Sequence, residues 1–83
     1  MGETMGDRIR MHRARLRLSQ RALGERVGVS QNGISLIETG EVDPRASLIQ
    51  KIAKVLGVTT DYLFGESSTD EEPAALAMAG ELL

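Results

Sequence analysis

The stretch QRALGERVGVSQNGISLIETG, residues 20–40, decides the fold. It holds two runs of apolar residues at helical spacing, Leu23 with Val27 and Ile34 with Ile37. Between the runs stand only Gly28, Val29 and Ser30. Gly28 can take the positive φ that ends a helix at its C′ position, and Ser30 is a favoured N-cap for the helix that follows. Ser19 caps the first of these helices in the same way, and Gly40 ends the second. Two short helices joined by about three residues that include a glycine cross steeply, which leaves the second exposed along one face. Gly24 is read as the point of closest approach to the partner helix, where a larger side chain would force the pair apart.

Three further helices flank this pair, and no internal repeat is present. On the N-terminal side a helix of about Asp7–Leu16 is expected, with Ile9 and Leu16 turned inward. Arg8, Arg10, Arg13, Arg15 and Arg17 occupy the rest of its circumference. Residues 1–6 are read as a flexible N-terminus. On the C-terminal side a helix of about Arg45–Leu56 follows Pro44 and carries Ala46, Ile49, Ile52, Ala53 and Leu56 at i, i+3, i+4 spacing. A final turn through Tyr62, Leu63 and Phe64 is capped by Thr59 or Thr60. The expected domain is therefore all-α, five-helical, and spans residues 7–65. After Gly65 the sequence changes to ESSTDEEP, which is too polar and charged to bury a core. Residues 66–83 are read as an acidic tail. Within it, Ala74–Leu83 has helix-forming composition with Leu76 and Leu83 seven apart, but alone it is too short for a stable helix.

Composition removes several function classes. A chain of 83 residues supports one domain that buries only about 60% of the surface its unfolded form exposes, so a partner subunit would help its stability. With no cysteine and one histidine, His12, there is no material for disulfides, thiolate chemistry or a multidentate transition-metal site. No cofactor and no metal are expected. His12 is read as a partly buried, hydrogen-bonded residue of the first helix. Neither a glycine-rich phosphate loop nor a nucleophile-elbow pattern occurs, so an enzyme is not expected. No apolar run approaches the roughly 18 residues of a membrane span, and Met1–Gly6 lacks the apolar core of a secretory signal. The expected location is cytoplasmic, without membrane attachment. The net charge of −2 conceals a division along the chain: residues 1–65 carry ten basic and seven acidic groups, and the tail carries five acids with no base.

An α-helix presented on one exposed face matches the major groove of B-DNA, about 12 Å wide, so a basic domain with this geometry points to duplex DNA. The chain also resembles the Cro/repressor-type helix-turn-helix family, also called the XRE family. The residues that carry the resemblance are Leu18, Ser19, Gln20, Leu23, Gly24, Gly28 to Gln31, Ile34, Ile37, Glu38, Gly40, Pro44, Ile52 to Lys54, Leu56 to Val58 and Asp61 to Leu63. They lie within about residues 7–65 and leave the tail uncovered.

The resemblance implies a compact lambda-repressor-like DNA-binding domain that acts as a transcriptional regulator, a repressor foremost, bound as a homodimer to a palindromic operator. Its recognition helix would be about Gln31–Thr39. Ile34 and Ile37 hold that helix to the core, which frees Gln31, Asn32, Ser35, Leu36 and Thr39 to face outward. Gln31 and Asn32 stand in the first turn, and either amide can pair bidentately with adenine. Ser35 allows close approach. Leu36 replaces a frequently polar reader and would touch either a thymine methyl group or nothing. Gln20 matches the family's phosphate-contacting glutamine, and Arg45, Arg21, Thr39 and Arg10 complete the expected phosphate set, with Arg15 and Lys51 as weaker members. Arg13 and Glu38 match the family's pair that clamps the first helix to the recognition helix. Tyr62, Leu63 and Phe64 are either core or, as the family implies, the dimer interface. An alternative reading makes the chain a DNA-binding antitoxin whose residues 66–83 bind a protein partner, a toxin. The acidic tail is also expected to compete with DNA for the basic face.

Overall fold

The computed structural model describes residues 3–65, and every expectation about residues 66–83 lies outside them. Hydroxyl side chains start four of its helices. Thr4 opens α1 (Met5–Arg15), Ser19 opens α2 (Gln20–Val27), Ser30 opens α3 (Gln31–Thr39) and Thr59 opens α5 (Thr60–Phe64). Each accepts from the amide three residues on, which satisfies one of the donors that a helix N-terminus leaves unpaired. Helix α4 (Ala46–Leu56) is the exception, for Arg45 at its N-cap makes no side-chain cap. Four helices end on a glycine in the left-handed region; Gly28, at φ +80°, turns α2 into α3. α1 ends without one: Arg17 takes φ +57°, and the Leu18 amide donates back to the Arg13 carbonyl at 3.0 Å.

Every helix sends one fully buried side chain to a common centre: Ile9, Leu23, Ile34, Ile52 and Leu63. Each buried aliphatic side chain contributes about 1.5–3 kcal/mol towards offsetting the entropy lost on ordering the chain. Val27, Ile37, Ile49, Ala53, Leu56 and Tyr62 complete the core. The architecture is the expected one, five helices with no strand among the described residues.

Four local expectations are corrected. The first helix begins at Met5, not Asp7, because Thr4 and Asp7 form a reciprocal capping box; Met5 and Gly6 therefore belong to the helix and not to a flexible N-terminus. Leu16 is not inward: it is the C-cap of α1, past the last helical residue Arg15, and is 49% exposed. Ala46 is exposed, so the buried stripe of α4 starts at Ile49. Gly24 does lie at a close approach, but its neighbour is the turn: a Cβ there would meet the Val29 carbonyl oxygen at 2.2 Å.

Candidate nucleic-acid interface

Ile34, Ile37 and Glu38 are the buried residues of α3, and their positions determine what its other side presents. Gln31, Asn32 and Thr39 are exposed, with Ser35 and Leu36 half-buried between them. Gln20, at the first position of α2, joins this face across the turn. Together with Ser30, Gln31, Asn32 and Ser35 it lines one shallow depression of about 470 Å³. Three amide or hydroxyl residues of α3 and one amide of α2 thus converge on a single polar surface, as hydrogen-bonding to base edges and phosphates requires. On the other flank of α3, Leu36 and Gly33 border an apolar groove of about 390 Å³ whose walls include Val29, Val42, Pro44 and Leu48. Arg45 stands at the same groove, which brings one of the expected phosphate ligands beside Leu36.

Thr39, Arg21 and Arg10, also expected at phosphates, are engaged within the chain. The Thr39 hydroxyl lies 3.1 Å from both the Leu36 carbonyl and a Glu41 carboxylate oxygen. It has one proton to donate, so that proton is already used, and the neighbouring carboxylate would repel a phosphate. Arg21 pairs with Glu25 at 3.4 Å and Arg10 with Asp7 at 3.2 Å, both on exposed surface where such pairs are worth little and exchange readily. The Thr4 backbone amide and hydroxyl, followed by the Arg10 guanidinium, hold the Asp7 carboxyl below its ordinary value of 3.8.

Behind the polar surface lies a junction of three helices. Arg13 reaches Glu38 through Nε at 2.7 Å and through its terminal nitrogen at 3.1 Å, and its other terminal nitrogen donates to the Leu18 carbonyl at 2.8 Å. The Glu38 side chain is 4% exposed, so this bidentate pair neutralises a charge that burial alone would make costly. Gln20 donates to the same carboxylate at 3.1 Å, a contact that sequence reasoning missed. Gly6 was missed as well: it faces the backbone of Glu38 so closely that a Cβ would lie 2.1 Å from the Glu38 carbonyl oxygen. The Thr4-to-Asp7 spacing was a local signal for placing Gly6 in a helix; nothing local marks the Gln20 contact.

In α5, Tyr62 and Leu63 are buried in the chain's own core and Phe64 is 48% exposed. His12 is buried too, 3.0 Å from the Tyr62 hydroxyl and edge-on to its ring. Arg8 donates to the Tyr62 carbonyl and lies over the same ring at 4.8 Å. Of the three residues considered for a subunit interface, Phe64 alone keeps a large exposed side chain.

Two short helices set at a tight three-residue turn, with the second presenting a polar face, define a helix-turn-helix domain. The helix-turn-helix family model matches residues 9–63, and the chain belongs to that family. It is 41% identical over 61 residues to the repressor protein C2 of Salmonella phage P22, covering 74% of this chain and 28% of that protein. It is 33% identical over 82 residues to the transcriptional regulator PuuR of Escherichia coli K12, covering 99% of this chain and 44% of that one. The chain thus spans less than half the length of these two relatives. Its fold superposes on the crystal structure of the P22 c2 repressor in complex with synthetic operator 9T with a TM-score of 0.73 and 40% identity, covering 76% of this chain and 96% of that one. No helix among the described residues is long and apolar enough to cross a membrane.

Proposed function

We propose that this chain is a sequence-specific duplex-DNA-binding regulator of transcription, a repressor by its likeness to the phage P22 repressor, and that α3 is its recognition helix. The observation that carries this reading is the convergence of Gln20, Gln31, Asn32 and Ser35 on one polar surface at the start of α3. The likeness to an operator-bound repressor domain at 40% identity supports it. Gln31 and Asn32 read base edges, and one bidentate pair with adenine discriminates by about 1–3 kcal/mol. Ser35 lets the helix approach closely, and Leu36, at the edge of the apolar groove, takes a thymine methyl group. Gln20 and Arg45 contact phosphates; Arg10 and Arg21 join them by exchanging their exposed carboxylate partners for DNA. Thr39 contributes only if its hydroxyl leaves Glu41.

One short helix reads few base pairs, so specificity against a genome calls for two half-sites about 34 Å apart and a homodimer. Phe64 is the anchor of that interface, with Tyr62 and Leu63 supporting it from the core. Selection from random duplexes at about 150 mM salt is expected to return a two-fold symmetric site, with the base preference at one position of each half-site lost in Asn32→Ala. A folded protein that enriches no duplex would refute the reading.

A further inference from the structure

Glu38 belongs to the recognition helix, yet its side chain is 4% exposed and points away from the polar surface. Its two oxygens receive three donors: Arg13 Nε at 2.7 Å and a terminal Arg13 nitrogen at 3.1 Å, and Gln20 Nε2 at 3.1 Å. The arginine neutralises the carboxylate. The glutamine adds no charge, so its contact does something else. An ionised carboxylate can only accept hydrogen bonds, which means that it can meet the Gln20 amide only through the nitrogen. The orientation of the amide is thereby determined: one N–H is held by Glu38, and the second N–H and the carbonyl oxygen remain. The same side chain lines the depression shared with Ser30, Gln31, Asn32 and Ser35, at the first turn of α2 where unpaired backbone amides already favour an anion.

We infer that Glu38 is a positioning residue for DNA, a buried carboxylate that holds the Gln20 amide from behind and presents its remaining N–H to a backbone phosphate. The register of α3 in the groove then depends on a group that DNA does not touch. The inference rests on the DNA-binding reading and deepens it. Without the carboxylate the Gln20 amide can rotate and turn over, and ordering it again on binding costs affinity by roughly two- to tenfold.

The test is a double-mutant cycle on a duplex selected by the wild-type chain, using Gln20→Ala, Glu38→Gln and the combination. Glu38→Gln is expected to weaken binding by roughly two- to tenfold when Gln20 is present, and by less than about twofold in the Gln20→Ala background. Equal factors in both backgrounds would assign Glu38 to the fold alone and overturn the inference. Because Glu38→Gln loosens the Arg13 clamp and can unfold the chain, NMR relaxation of the Gln20 side-chain amide in the free wild-type protein gives an independent reading. An order parameter near the rigid-backbone value of about 0.85 supports the inference, and one below about 0.6 overturns it. A wild-type chain that selects no duplex overturns the DNA-binding reading together with this one, whereas selection followed by equal factors overturns this one alone.

Discussion

A methyl group on Gly6 would sit 2.1 Å from the carbonyl oxygen of Glu38 and 2.7 Å from its carbonyl carbon. Both atoms are backbone of α3, so no side-chain rotation relieves the overlap; the two helices would have to separate, and Glu38 would move with them. Gly6→Ala is expected to cost about 1–3 kcal/mol, seen as a lower urea midpoint at unchanged slope. An unaltered midpoint would mean that α1 slides without penalty and that the close approach is not a constraint. The contrast between Gly6 and the outward residues of α3 shows what a sequence discloses. Gln31, Asn32 and Ser35 could be placed on the outer face because Ile34 and Ile37, a few residues away on the same helix, fix the inner one. Gly6 meets a partner on another helix, and the Gln20 amide finds Glu38 across the junction. Such contacts depend on how helices cross, which local periodicity does not encode; Arg13 with Glu38 was foreseen only because the family resemblance supplied the crossing.

The two ends of α1 show how an element is bounded by its caps more than by its apolar pattern. At the start, Thr4 and Asp7 close a capping box, with aspartate where glutamate is the commoner partner, and the helix begins two residues before its first apolar-periodic turn suggests. The Asp7 carboxyl is held below its ordinary 3.8 by the Thr4 backbone amide and hydroxyl. The unfolded chain therefore takes up this proton before the folded one does. Above about pH 4 the ionised Asp7 side chain makes its full contribution to the box, and that contribution is lost as pH falls through the lower folded value. Acid unfolding of the wild type should be steeper in that range than that of Asp7→Asn, and parallel curves would show that the Asp7 charge contributes nothing. At the other end, Arg17 holds φ +57° in a position that the remaining helices give to glycine. A non-glycine residue there carries a penalty of about 1–2 kcal/mol. Arg17→Gly should recover part of it and raise Tm by several degrees, since about 1 kcal/mol corresponds to 4–8 °C in a domain of this size. A fall in Tm would mean that the arginine side chain contributes more than its backbone conformation costs.

At the scale of the whole molecule the charges are divided along the chain, and the net value of −2 describes neither part. Residues 1–65 carry ten basic and seven acidic groups, and residues 66–83 carry five acids and no base. Covalent attachment keeps those acids near the helical domain at any dilution. They are expected to compete with phosphates for the basic residues of the domain, Arg10, Arg21 and Arg45 among them, as a tethered counterion would. Asp70→Asn, Glu71→Gln and Glu72→Gln together remove three negative charges without shortening the chain. This triple variant should bind non-specific duplex several-fold more tightly at about 50 mM salt. The difference should vanish by about 0.5 M, where screening acts over distances shorter than the gap between exposed charges. Equal binding at low salt would show that the acids do not compete. A gain that survived high salt would exclude charge competition as the cause and point to a contact between those three positions and the DNA.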